Sequence, residues 1–162
     1  MKVRDVMMRT PASCGAETNL GTAVEILWKR NCGFLPVVNT QGKVIGVVTD
    51  RDICMALGTR GRLAGEITVG EIISGKVFAC RPDDDVRIAL GTMGQEKVRR
   101  LPVISDDGKL EGILSMDDIV VHAEAGSPEK PSELSYQEVA VTLKRLYQAE
   151  LPELAHKGAA GS

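Results

Sequence analysis

The sequence predicts a mixed α/β fold (α+β) made of two similar lobes facing each other. Three observations predict it. Aligned on itself without a gap, Val3 to Ile53 repeats as Val69 to Ile119. Each copy carries the same order of helix and strand signals. Each also closes on the same phrase, Gly46-Val-Val-Thr49-Asp-Arg-Asp52-Ile53 answered by Gly112-Ile-Leu-Ser115-Met-Asp-Asp118-Ile119. A long-period repeat present twice points to paired lobes rather than a solenoid, and the function is expected where they meet. The organisation read from these signals is a first repeat over 1–60, a second over 61–125, and a linker with a helical tail over 126–162.

The order in each copy is short helix, strand, helix, strand, strand, helix. Leu20, Ala23, Val24 and Leu27 recur at helical spacing and carry over to Val86, Ala89, Leu90 and Met93, so each long helix is expected to bury one stripe. Glu17-Thr18-Asn19 and Asp83-Asp84-Asp85 place capping side chains and negative charge at the helix starts. Leu35-Pro-Val-Val38 and Leu101-Pro-Val-Ile104 read as strands kept from a central ladder position by proline. Thr40-Gln-Gly42 and Asp106-Asp-Gly108 are turns leading into Val44–Val48 and Leu110–Leu114. Asp50 to Leu57 and Met116 to Glu124 continue as closing helices.

Gly58 to Gly65 is a glycine-rich basic connector, and Gly126 to Ser132 a second linker. Beyond it Ser135-Tyr-Gln-Glu138 is a capping box opening an amphipathic helix. Its stripe is Tyr136, Val139, Ala140, Leu143, Leu146 and Tyr147, and its end lies near Leu151-Pro152. That stripe is expected to pack on the repeats, on a second subunit or on a partner. Gly158 to Ser162 read as a frayed end.

With 162 residues and 43% hydrophobic content the chain can bury one core or two small joined ones. A formal charge of -2 gives no broad basic field for nucleic acid or anionic lipid. No secretory signal and no spanning stretch is read, and a cytoplasmic protein is expected. Cys14, Cys32, Cys54 and Cys80 have no metal-site spacing, and Cys14 and Cys80, at matching positions, read as buried structural thiols. No nucleophile-base motif or phosphate-binding loop appears, so a catalytic role is disfavoured.

Taken together, the paired Leu-Pro-Val triplets, turn glycines and closing phrases resemble the cystathionine β-synthase (CBS) domain. The tandem pair resembles the Bateman module, over about Met1 to Glu124. The resemblance implies β-α-β-β-α repeats packed through their sheets with pseudo-twofold symmetry, two clefts that often hold adenosine-type ligands, and frequent homodimers. The tail lies outside it.

Thr49 and Ser115 stand where a strand hands over to a helix, so hydroxyl and free helical N–H groups share one anion site. Asp52 and Asp118, three residues on, offer carboxylate acceptors suited to ribose hydroxyls. By resemblance, adenine would lie against the first strand of the same copy, around Thr10 to Ser13, with Ala12 and Ser13, or around Lys76 to Ala79. Arg99 and Arg100, just before the second Leu-Pro-Val, would by the same resemblance reach phosphates held by Thr49 and Asp52. Arg51, inside the first closing phrase, is a further candidate, either for phosphate or for pairing with a neighbouring acid. The Ser115/Asp118 cleft is expected to lack that supply and to be empty or suit a less anionic adenosine such as S-adenosylmethionine. Both hydroxyl–acid pairs are equally ordinary helix caps, and the two roles coexist. Trp28, replaced by Gly94 in the second copy, reads as a packing or subunit-contact residue.

The leading expectation is a non-catalytic regulatory module with no required cofactor, binding AMP, ADP or ATP. The alternatives are S-adenosylmethionine or NAD(H) as ligand, or a structural dimerisation module with empty clefts. Expected partners are the adenosine ligand, a second copy, and a protein contacted through the C-terminal helix, with neither nucleic acid nor membrane among them.

Overall fold

In the computed structural model, residues 1–126 and 132–148 are described. The first repeat forms α1 (Val3–Val6), β1 (Met8–Arg9), α2 (Leu20–Lys29), β2 (Phe34–Val38), β3 (Val44–Thr49) and α3 (Asp50–Arg60). The second forms α4 (Val86–Glu96), β4 (Arg100–Ile104), β5 (Leu110–Ser115) and α5 (Met116–His122), followed by α6 (Tyr136–Tyr147). The mixed α/β class and the tail helix agree with the sequence reading.

The opening of the second copy departs from it. A single-turn 3-10 helix, Val69–Glu71, stands in place of α1, preceded by another at Ala64–Glu66, and no strand answers β1 among the described residues. Ser74-Gly75 replaces Met8-Arg9, and these residues have poor strand propensity.

Helix starts follow their caps. The Asn19 side chain accepts from the Thr22 N–H, and that of Asp85 from the Arg87 N–H. Each hairpin turns on a glycine with positive φ, 76° at Gly42 and 83° at Gly108, a region a Cβ disfavours.

β2 pairs antiparallel with β3, and β4 with β5; β1 crosses over and adds to β5, giving the order β1-β5-β4. Pro36 and Pro102 therefore lie in strands at a sheet edge. The two hairpin turns meet: the Val44 N–H donates to the Gly108 carbonyl at 3.0 Å and the Leu110 N–H to Gly42 at 3.2 Å. That reciprocal pair is the pseudo-twofold contact between the lobes.

Each lobe borrows its opening segment from the other copy. The Val3 N–H donates to Asp84 and the Val86 N–H to Met1; in the other lobe the Val69 N–H donates to Thr18 and the Leu20 N–H to Ile67. Val3 and Val6 are buried with Val86, Met93 and Leu101, while Ile67 and Val69 are buried with Leu20, Leu27 and Leu35. Neither core is complete without the opposite copy, so the two small cores stabilise each other. Gly46 and Gly112 sit at the crossings. A Cβ on Gly46 would fall 2.7 Å from the Ile73 side chain, and one on Gly112 would fall 2.7 Å from the Met8 carbonyl. Cys14 and Cys80 are buried, and desolvation pushes their thiols up to about 11 and about 12, consistent with protonated packing groups.

The two long helices differ. Val86, Ala89, Leu90 and Met93 are all buried, whereas of the α2 stripe Val24 emerges at 43% exposure. The cause is α6, which packs on α4 and α5. Val139 and Thr142 are buried, with Leu143 and Leu146 packed against the second core. Tyr136, Ala140 and Tyr147, expected in the stripe, face outward, and Thr142 takes a place the apolar pattern did not assign. The Gly126–Ser132 linker falls largely outside the described residues, as do the expected end near Leu151-Pro152 and the frayed end at Gly158–Ser162.

Candidate functional site

β3 and β5 deliver Thr49 and Ser115 to the N-caps of α3 and α5 in extended conformation, φ -117° and -114°. The Thr49 Oγ1 accepts from the Asp52 N–H at 3.2 Å, while Asp52 Oδ2 accepts from the Thr49 N–H at 2.9 Å and its hydroxyl at 2.7 Å. Ser115 and Asp118 repeat this at 3.1, 2.9 and 2.6 Å. All four side chains thus form complete capping boxes. The grooves beside them are nevertheless open.

Beside Thr49 lies a cleft of about 370 Å³, bounded by Val47, Thr49, Asp50 and Arg51 of the first copy and by Lys76, Phe78 and Lys97 to Arg100 of the second. Beside Ser115 lies one of about 460 Å³, bounded by Ile113, Ser115, Asp117 and Asp118 of the second copy and by Met8 to Thr10, Ala12 and Arg30 to Cys32 of the first. Phe34 and Arg100 line both. Each cleft therefore joins the hydroxyl corner of one copy to the opening segment and pre-proline residues of the other.

This corrects one expectation. The first-strand segment facing a corner belongs to the opposite copy, because the opening segments are exchanged: Ala12 lies at the Ser115 cleft, and Lys76 and Phe78 lie at the Thr49 cleft. Ser13 and Ala79 line neither cleft. Asp52 is exposed and outside the lining of the Thr49 cleft, whereas Asp118 is half-buried and lines its own.

The electrostatics are unequal. Five basic side chains, Arg51, Lys76, Lys97, Arg99 and Arg100, surround the Thr49 cleft against the single acid Asp50. The Ser115 cleft sets Arg9, Arg30 and Arg100 against Asp117 and Asp118. It does not lack arginine as expected. Arg100 reaches both clefts and lies 4.0 Å from Asp117, and Arg9 and Arg30 arrive from the exchanged copy.

Sequence reasoning missed both of those arginines and the aromatic lining. The chain's two phenylalanines, Phe34 and Phe78, both stand at the clefts, and Lys76 Nζ lies 4.5 Å above the Phe78 ring. Their scarcity was the available signal. Among the described residues no cluster of three or more His, Cys, Asp or Glu could hold a metal ion, and no helix is long and apolar enough to cross a membrane.

A larger hollow of about 690 Å³ opens between α2 and α3 beside Trp28, lined by Val24, Leu27, Cys32, Cys54 and Leu57 among others. Neither hydroxyl–acid corner lines it.

Comparison with known proteins follows the repeat. The CBS domain profile matches residues 3–59 and again 69–124. An uncharacterized protein of Methanopyrus kandleri is 33% identical over 120 residues, which cover 72% of this chain and 57% of that protein, so the chain spans little more than half of its length. The fold resembles the CBS domain pair of protein MJ0100 in complex with 5′-methylthioadenosine and S-adenosyl-L-methionine, with 27% identity, a TM-score of 0.68, and coverage of 75% of this chain and 94% of that one. It also resembles CBSX2 in complex with AMP, with 26% identity, a TM-score of 0.66, and coverage of 74% and 93%.

Proposed function

We propose that this chain, which belongs to the CBS domain family and carries two of its domains in tandem, is a non-catalytic regulatory module that binds an adenine nucleotide in the cleft beside Thr49. CBS pairs are regulatory ligand-binding modules. The observation that carries the finer reading is the concentration of five basic side chains and one acid around an open groove at a helix N-terminus. Phosphates suit that field: arginine forks pair with phosphate oxygens, and the helix dipole adds to the attraction. Phe78 and Val47 supply an apolar wall for the base.

The Ser115 cleft, with nearly balanced charge and two carboxylates, favours a less anionic adenosine, and S-adenosylmethionine fits that description. The bound complexes of the MJ0100 pair and CBSX2 support adenosine compounds as the ligand class for this chain.

A thermal-shift panel of ATP, AMP and S-adenosylmethionine tests the proposal. Ligand at about a hundredfold over its dissociation constant stabilises a binder by roughly 2.7 kcal/mol. The ATP response is expected to disappear in Arg51→Ala and Arg100→Ala and to survive in Ser115→Ala. If no adenosine ligand moves the melting temperature, the proposal falls. The second reading, a structural dimerisation module with vacant clefts, then stands; the complete capping boxes at both corners favour it.

A further inference from the structure

Two positions related by the repeat stand in the wall between the clefts. Phe34 opens β2 opposite Thr49, and Arg100 opens β4 opposite Ser115. Each lines both clefts. One is an aromatic ring and the other a guanidinium, so a single charge in this wall serves two ligand grooves. The backbone that carries it is fixed. Arg100 is paired in register with Ser115, and the Met116 N–H donates to the Arg99 carbonyl at 2.9 Å. Only the side chain is left to choose between the grooves.

Asp117 holds that side chain weakly. Arg100 Nη2 lies 4.0 Å from Asp117 Oδ2, and the Asp117 side chain is 87% exposed. A charge-assisted hydrogen bond is about 2.7–2.9 Å long, and an ion pair this open to water contributes little. A phosphate group offers the guanidinium fork more charge and matching oxygens. Moving the guanidinium changes what it leaves behind. With Arg100 the Ser115 cleft sets three arginines against two acids. Without it Arg9 and Arg30 balance Asp117 and Asp118, and the Asp117 carboxylate is released from Arg100. The counterpart of Asp117 in the first copy is Arg51, so the matching place at the Thr49 corner adds a cation instead.

We propose that Arg100 is a shared cation that couples the two clefts and sets the charge each accepts. A phosphate in the Thr49 cleft draws the guanidinium from Asp117, and the Ser115 cleft then favours a ligand carrying a positive group such as a sulfonium. The inference rests on the ligand classes proposed above for the two clefts. Its sign follows the charge of the second ligand: a polyphosphate and a cationic adenosine assist each other, whereas two polyphosphates compete for one guanidinium. A coupling free energy acts equally on both sites, so each ligand reports on the other.

Titration calorimetry of the full chain with S-adenosylmethionine, alone and with saturating ATP, tests this for wild type and Asp117→Asn. In wild type ATP is expected to tighten S-adenosylmethionine binding on the order of fivefold. In Asp117→Asn there is no carboxylate for Arg100 to release, and the tightening should vanish. Direct attraction between the two ligands does not involve Asp117, so a tightening kept in full by Asp117→Asn overturns the proposal. ATP alone should bind Asp117→Asn more tightly than wild type, because Arg100 is no longer held by an acid; equal or weaker ATP binding overturns it as well. Unchanged or weaker S-adenosylmethionine binding by wild type in the presence of ATP also overturns the coupling, while the separate titrations leave both ligand sites standing. If wild type fails to bind one of the two ligands, the coupling falls with the assignment of that cleft, and if it binds neither, both readings fall together.

Discussion

The outer helical faces of the two repeats have the same backbone plan and opposite fates. On α4, Leu90 is 4% exposed and Gly94 is buried, because α6 lies across them. On α2, their counterparts Val24 and Trp28 are 43% and 85% exposed. A Cβ on Gly94 would meet Arg145 at 3.4 Å and Thr142 at 3.7 Å, ordinary contact with no space beyond. An indole at that position leaves a third helix no room. The difference teaches that two copies of one fold can be set apart by a single side chain at a face: the glycine leaves a seat for α6, and the indole at the matching position does not.

Truncation probes that contrast most strongly. Leu90→Ala is expected to destabilise by about 2–5 kcal/mol, the range for large-to-small changes in a packed core. Val24→Ala should cost a small fraction of that. Equal costs in denaturant unfolding would mean that α6 does not distinguish the faces in solution.

Overfilling the seat comes next. Gly94→Trp should expel the middle of α6 at a cost of about 1–3 kcal/mol. Exchange protection should be lost over 136–147 and kept in the strands. Gly94→Ala serves as the control and is expected to be nearly neutral, because contact distances at its Cβ are ordinary.

One part of the pH dependence of stability should follow the tail. The Arg87 guanidinium, with the Ser135 N–H and hydroxyl, holds the Glu138 carboxyl down at about 2 from an ordinary 4.5. A depressed acid contributes stability that is fully present above its unfolded value and is lost as pH falls through the folded one. The stability gap between wild type and Glu138→Gln should therefore be constant above about pH 5 and close progressively toward pH 2. Thermal melts across that range check it, and a gap that persists at pH 2 breaks the assignment.

Trp28→Ala should have the smallest effect, within about 0.5 kcal/mol of wild type, as befits an exposed side chain. A larger loss that depends on protein concentration would show that the bare face is covered by a second copy in solution.

Much of this architecture was legible in the chain because it is written in local interactions. The caps at Asn19, Asp85 and Ser135 and the boxes at Thr49 and Ser115 span two or three residues. The hairpin turns need only a glycine at Gly42 and Gly108. Arg99 and Arg100 were legible as cleft candidates because they break the repeat, standing opposite Gly33 and Phe34. Arg9, Arg30 and the facing role of Phe78 were not, because their place at a cleft depends on which copy's opening segment covers which corner. The apolar stripe of α6 was visible, but Tyr147 was assigned inward when it faces Arg99.

The sequence by itself determined the repeated unit, the order of long helix, hairpin and closing helix in each copy, and the hydroxyl–acid corners, since hydrogen bonds between near neighbours depend on residue type and spacing. Only the tertiary structure decided the exchange of opening segments, the unequal charge of the two clefts and the seating of α6 on the second copy. Two similar lobes offer two similar apolar faces, and a pattern of hydrophobic residues identifies a face without identifying its cover. The choice rests on shape over long range, on Val3 and Val69 crossing between the lobes and on the space left by Gly94.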